Sequence, residues 1–237
     1  MKPYQEEFRI RYSDCDRFSR LKLHAIFDYA QEIAGNNATY LGFGDQFRDE
    51  RHLAWILSRM KLRILEYPTA EKLVTVQTWP SGFNRAFATR EFRFMTGPEK
   101  RVFAEGTSYW LLLNLQSGRL AIAPREMADF PLDYSDTEHI FTDLDKLAGD
   151  PNAPLLAEFN IYEHQIDFNC HLNNTEYASL IQDALGVGAY PTLLQINYQR
   201  EVPPQSKLLV RGTKDEHSFS LAGYLEDTEA FSVVGKF

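Results

Sequence analysis

The sequence predicts an α+β protein built as two tandem copies of one unit, each a strand, a long helix and a run of strands. Three observations lead there. Stretches with period-two apolar alternation flank one long stretch of helical period. The order strand, helix, four strands fits an α+β layer and not a chain of βαβ units. The opening of the chain also returns, without a gap, 151 residues later.

Taken in order, Phe8, Ile10 and Tyr12 alternate with polar residues, as in a half-buried strand. Asp14 to Arg20 is polar and reads as a loop. Leu23, Ile26, Phe27, Ala30, Ile33, Ala34, Asn37 and Leu41 then recur at helical spacing, and Gly42-Phe43-Gly44 marks the helix end. Strand-like runs follow at 53–66, 72–79, 86–95 and 102–114, closed by Tyr67-Pro68, Trp79-Pro80, Gly97-Pro98 and Ser117-Gly118. Residues 120–157 are acidic, proline-bearing and aperiodic, which predicts a linker. The expected organisation is therefore an N-terminal domain at 1–119, a linker at 120–157 and a C-terminal domain at 158–237.

At a shift of 151, Phe8 meets Phe159, Ile10 meets Ile161, Asp16 meets Asp167, Leu21 meets Leu172, Gln31 meets Gln182 and Gly35 meets Gly186. A second block, Glu66-Tyr67-Pro68, meets Glu201-Val202-Pro203 at a shift of 135. The copies differ chemically. Where the second carries Asp167, Asn169 and His171, the first carries Asp16, Phe18 and Arg20. One half is thus expected to hold polar chemistry and the other an apolar pocket, with ligand bound where the halves meet.

Hydrophobic residues at 44% and aromatic residues at 14% of the 237 supply a real core and argue against disorder. The net charge is −8, but residues 126–150 alone hold eight acids against one base. The acidity belongs to the linker, which argues against nucleic-acid binding and leaves room for a basic docking face elsewhere. The first residues lack the apolar core of a signal peptide, and the longest apolar run, Trp110-Leu111-Leu112-Leu113, is too short to span a bilayer. The expectation is a cytoplasmic protein without membrane association, with Cys15 and Cys170 as reduced thiols.

The chemistry concentrates at Ile166 to Tyr177. Read as extended chain, Asp167, Asn169 and His171 would face one space, with Phe168 and Cys170 facing away. Asn173-Asn174-Thr175 then starts a helix, with Glu176 in its first turn. A carboxylate, an amide, an imidazole and a helix N-terminus suit hydrolysis of an ester or thioester. The competing reading makes the same residues turn and cap formers. Cys170 and His171 would point apart and so form no nucleophile–base pair. His164, Asp167 and His171 match no metal-ligand spacing, and no Gly-x-Ser-x-Gly elbow occurs. No metal or cofactor is expected.

These motifs carry a resemblance over nearly the whole chain. Arg11-Tyr12-Ser13-Asp14-Cys15-Asp16, Trp55-Ile56-Leu57-Ser58-Arg59, Glu71 to Pro80 and Thr107-Ser108-Tyr109-Trp110 carry it in the first half. Asp167 to Asn174 and Tyr198-Gln199-Arg200-Glu201 carry it in the second. The chain resembles the acyl-ACP thioesterase family, built from two tandem hotdog domains in which a sheet wraps a long helix. The resemblance implies hydrolysis of a fatty acyl thioester of acyl carrier protein, with Asp167, Asn169, His171 and Glu201 as the catalytic set and Glu201 on a neighbouring strand. It implies an acyl pocket in the first domain, with Leu23, Ile26, Phe27, Trp55 and Leu57 as lining candidates. Many plant members carry cysteine after the glutamate; Val202 stands here, which favours a carboxylate-driven route over a thiol. An acidic carrier protein calls for basic residues, with Arg85, Arg90, Arg93, Lys100, Arg101, Arg200, Lys207, Arg211 and Lys214 as candidates. Further dimerisation is optional, because the tandem repeat already supplies a hotdog pair. The alternatives are a hotdog enzyme acting on acyl-CoA, a dehydratase of the same fold, and a non-catalytic acyl-binding protein.

Overall fold

The computed structural model describes residues 2–237. The first half contains β1 (Tyr4–Arg9), α1 (Leu23–Tyr40), α2 (Asp45–Arg51), β2 (Leu53–Ile64), β3 (Leu73–Asn84), β4 (Phe87–Thr96), β5 (Arg101–Asn114), β6 (Arg119–Ala121) and α3 (Ala123–Glu126). The second contains β7 (Leu155–Asn160), α4 (Glu176–Leu185), β8 (Leu193–Tyr198), β9 (Lys207–Lys214), β10 (Ser218–Leu225) and β11 (Thr228–Lys236). All strands join one antiparallel sheet of order β1-β3-β4-β5-β2-β8-β11-β10-β9-β7, with β6 on β5. The order within each half is the same, and the halves meet antiparallel where Met60 of β2 faces Ile196 of β8.

The sheet wraps the helices because one face of each strand is apolar. Leu62, Ile64, Val74, Val76, Phe92, Phe94 and Phe103 from the first half, and Leu194, Ile196, Leu208, Val210, Phe231 and Val233 from the second, enter one continuous core. Leu23, Ile26, Phe27, Ala30 and Ile33 of α1 and Leu180 and Ile181 of α4 fill it from the other side. Gly186 ends α4 at φ +96°, a conformation an L side chain resists. Both halves thus share one sheet and one main core, and the first half adds a smaller cluster of Phe43, Phe47, Leu53, Leu112, Ala123 and Met127.

Two sequence expectations about the repeat unit change. The first strand stops at Arg9, and Tyr12 opens a 3₁₀ turn that Asp14 closes by accepting the Arg11 N–H at 2.9 Å. The second repeat block aligns at a shift of 134, not 135: Phe8 pairs with Val74 as Phe159 pairs with Leu208. A one-residue slip would turn exposed Leu73 onto buried Leu208, so burial fixes the register. Glu201 therefore corresponds to Tyr67.

The region 120–157 is less of a free linker than its composition suggests. It begins inside β6, forms α3, and ends in β7. Between them it lies on the outer face of the sheet, where Trp79 Nε1 donates to the Glu138 carbonyl at 2.9 Å and Tyr109 OH to that of Thr142 at 3.0 Å. Buried Glu91 accepts from Ser81 Oγ at 2.7 Å and from the Ile140 N–H at 3.2 Å, and from Thr107 Oγ1. Burial raises the Glu91 carboxyl above its usual range, against the pull of these donors.

Candidate active site

The polar run of the second half is a tight turn and not an extended strand. Ile166 and Leu172 pair as an isolated bridge, the Asp167 N–H donates to the His171 carbonyl at 2.9 Å, and the Cys170 N–H to that of Asp167 at 3.0 Å. Cys170 closes the turn at φ +67°. Asp167 Oδ1 accepts the Asn169 N–H at 2.8 Å, and Oδ2 accepts Asn169 Nδ2 at 3.2 Å. An aspartate that bonds the backbone two residues on favours a turn over a strand, which overrides the alternation.

The turn divides the four expected catalytic residues into two pairs. Asp167 and Asn169 face a cleft of about 630 Å³, together with Phe168 and Asn174. Phe168 was expected to point away, but the turn swings its exposed ring to the cleft mouth, where the Arg48 guanidinium lies 5.8 Å from its centroid. His171 Nε2 lies 3.1 Å from Glu201 Oε2, and neither lines the cleft. Glu201 sits in the loop between β8 and β9, not on a strand. Beneath both pairs lies Tyr177, whose hydroxyl is pushed well above its usual range by burial and then by the charges of Glu201 and Asp167.

The start of α4 is set from three sides. Thr175 is its N-cap residue, and the Thr175 N–H donates to Asn173 Oδ1 at 3.1 Å. Tyr198 OH donates to the Asn174 carbonyl at 3.2 Å. His24 of α1 reaches across, with Nδ1 3.1 Å from the Thr175 carbonyl oxygen and 2.9 Å from Ser179 Oγ. Its Nε2 lies 3.0 Å from Asp28 and 3.9 Å from Glu176. Burial works to lower the His24 pKa, but the Asp28 bond and the two carboxylates raise it overall.

The cleft runs from this turn into the first half. Its walls come from the second half of α1, from α2, and from the ends of β2, β3 and β4, with Trp55, Phe83, Trp110 and Tyr134 as aromatic panels. Of the five lining candidates only Trp55 faces it. Leu23, Ile26 and Phe27 lie on the opposite stripe of α1, inside the main core, and Leu57 is buried away from the cleft. The apolar period locates the stripe that meets the sheet; Gln31, Gly35 and Ala38, which border the cleft, lie on another face of the helix, and Ala34 stands at the edge of both. Trp110 and Phe83 were missed, although aromatics at strand ends hint at such a wall. Arg90 was missed as a lining residue, although an Arg-Glu pair inside an apolar strand signals two differently used sheet faces.

Several basic candidates are engaged. Arg90 is buried; Arg93 pairs with Glu138 at 2.6 Å, Lys207 with Glu158 at 2.6 Å, and Arg101 with Glu66. Arg211 Nη1 donates to the Ala153 carbonyl, and Lys214 Nζ to the last carbonyls of α4. Arg85, Lys100 and Arg200 are exposed and have no acidic partner among the described residues. Also among the described residues, no group of His, Cys, Asp and Glu could hold a metal ion, and no helix is long and apolar enough to cross a membrane.

Two copies of a helix-and-sheet unit fused through one sheet, with a polar turn in one copy opening on a cleft in the other, define a tandem hotdog protein. The family model described as acyl-ACP thioesterase N-terminal domain matches residues 1–130, and that described as acyl-ACP thioesterase C-terminal domain matches residues 150–230. The chain belongs to the acyl-ACP thioesterase family. It is 24% identical over 217 residues to a chloroplastic oleoyl-acyl carrier protein thioesterase of Coriandrum sativum, covering 84% of this chain and 59% of that one. It is 23% identical over 226 residues to a chloroplastic palmitoyl-acyl carrier protein thioesterase of Gossypium hirsutum, covering 86% and 53%. The chain thus spans little more than half the length of these relatives. Its fold matches an acyl-ACP thioesterase from Bacteroides thetaiotaomicron with a TM-score of 0.88 at 20% identity, covering 99% of this chain and 97% of that one. It matches a 12:0-ACP thioesterase from Umbellularia californica with a TM-score of 0.82 at 20% identity, covering 98% and 96%.

Proposed function

We propose that the protein hydrolyses the thioester between a fatty acyl group and acyl carrier protein, releasing free fatty acid and carrier protein and so ending or diverting chain growth. The observation that carries this reading is the cleft itself: about 630 Å³, walled by aromatics, opening onto Asp167 and Asn169. Membership of the acyl-ACP thioesterase family supports it.

In this reading the acyl chain lies in the cleft and the thioester carbonyl at its mouth. Asp167 activates water or attacks the carbonyl directly. Asn169, tied to both Asp167 oxygens, fixes the carboxylate's direction. His171, oriented by Glu201, exchanges protons with the leaving thiolate or the water. Backbone N–H groups where α4 begins stabilise the oxyanion. A thiolate leaves readily, so a partly exposed histidine suffices as the acid. Exposed Arg85, Lys100 and Arg200 are the candidates for meeting an acidic carrier.

The test is hydrolysis of matched acyl-ACP and acyl-CoA series by the purified chain. Faster turnover of the carrier-protein thioesters supports the proposal. Preference for acyl-CoA points to the alternative hotdog thioesterase, and tight binding without turnover to an acyl-binding protein.

A further inference from the structure

Resting on the thioesterase reading, the acyl preference turns on a second polar group in the wall of the cleft. Arg90, on β4, lines it and is 8% exposed. Its Nη1 donates to two neutral acceptors, Asn37 Oδ1 at 2.7 Å and Thr78 Oγ1 at 3.1 Å. Among the described residues, Nε and Nη2 have no hydrogen-bond partner and no carboxylate forms an ion pair with the guanidinium. Neighbouring Glu91 is no partner, because successive strand residues face opposite ways and it is held under residues 139–141. Burial lowers the Arg90 pKa only to about 10, so the charge persists at neutral pH.

A charge nine-tenths buried without a counter-charge is costly, and Arg90 N–H groups that are unpaired but not enclosed can meet an acceptor only from the cleft. The same cleft offers surface for hydrocarbon at Trp55, Phe83, Trp110 and Tyr134, beside polar Gln31, Glu32, Asn36 and Asp45. A plain methyl end pressed against the guanidinium would strip water from its N–H groups and return nothing. An oxygen there would accept them. We propose that Arg90 is a specificity-determining residue, and that the cleft favours acyl chains whose distal end carries an oxygen acceptor: a hydroxyl, a keto group or a carboxylate. Binding is non-covalent and leaves the reaction at Asp167 unchanged. Arg90 sets which chain is preferred, and takes no part in bond cleavage.

The test uses pantetheine amides, in which nitrogen replaces the thioester sulfur, so that the intact protein binds without turnover. Amides of a plain, an ω-hydroxy and an ω-carboxy acyl chain are compared over a series of lengths. Quenching of Trp55 and Trp110 reports occupancy. The expected result is that, at the length that reaches Arg90, the oxygenated chains bind about tenfold tighter or more, the worth of one hydrogen bond to a charged group. Arg90→Met should erase the difference, and Arg90→Lys should keep part of it. Equal or weaker binding of the oxygenated chains at every length overturns the proposal, and this comparison needs only the natural protein should Arg90→Met not fold. Hydrolysis of plain acyl-ACP, run in parallel, judges the thioesterase reading separately. Binding of none of the amides overturns the proposal about Arg90, and only failure to hydrolyse plain acyl-ACP overturns the thioesterase reading.

Discussion

Asp16 and Asp167 hold the same turn in the two halves of the molecule. Each accepts the backbone N–H two residues on, at 2.8 Å, and each donates its own N–H to the carbonyl four residues on, at 2.8 and 2.9 Å. Ser19 at φ +60° and Cys170 at φ +67° close the two turns alike. What differs is the cover. Asp16 receives Tyr190 OH, and Arg20 lies over the Tyr190 ring at 4.6 Å. Asp167 opens on the cleft. One scaffold thus serves as a structural joint tied to Tyr190 in one half and as a carboxylate facing the cleft in the other.

That contrast separates two aspartate substitutions. Asp167→Asn keeps an oxygen for the Asn169 N–H, so the turn should persist and the melting temperature should hold within a few degrees. Hydrolysis should fall on the order of 10²–10³-fold. Asp16→Asn should leave the rate nearly unchanged and cost stability of about 1 kcal/mol through its bond with Tyr190. Steady-state kinetics and thermal melts on both variants decide.

His171 and Glu201 should behave as one unit. With Nε2 and Oε2 at 3.1 Å, removing either partner removes what the other does through it. Glu201→Gln and His171→Gln should each lower kcat, and the double variant should fall far short of the product of the two losses. Full multiplicativity would show that Glu201 does not act through His171.

The wall of the cleft and the core stripe should also come apart. Ile26 is fully buried, so Ile26→Ala should cost about 2–5 kcal/mol of stability and leave the chain-length profile unmoved. Trp55→Leu should do the reverse, shifting preference toward bulkier or longer acyl chains with little change in melting temperature. An acyl-ACP length panel and denaturant unfolding of both variants supply the comparison.

Much of this architecture is legible in the sequence. The runs predicted at 86–95 and 102–114 lie within a residue of β4 and β5, because long alternating stretches carry a strong period. The repeat is visible because Phe8, Asp16 and Leu21 and their counterparts hold the same structural places. The wrong shift in its second block came from Glu66 and Pro68 matching Glu201 and Pro203 by type, a likeness that burial of Val74 and Leu208 overrules. The residues of the polar turn were readable but its shape was not, since local side-chain bonds compete with extended backbone. The cleft was hidden for another reason. Periodicity finds the face of α1 that meets the sheet, and it is silent on what the face with Gln31 and Gly35 borders.

The contact between His24 and the start of α4 gives a pH signature. The His24 pKa is raised in the folded state, so its contribution is fully present below the ordinary value of 6.5 and is lost as pH rises through the folded value. Burial opposes ionisation of Asp28, but the His24 bond holds its pKa below 3.8, so its share is lost only as pH falls through that lowered value. His24→Gln should therefore destabilise more at mildly acidic pH than at alkaline pH. Melting temperatures of both proteins across that range, at constant ionic strength, should converge as pH rises.

The most direct test of the central claim is release of free fatty acid from acyl-ACP by the purified chain, with Asp167→Asn alongside. The account predicts turnover by the natural protein and a loss of about 10² or more in the variant, with its fold intact by melting. Undiminished hydrolysis by Asp167→Asn, or no hydrolysis by the natural protein at any chain length, would contradict it.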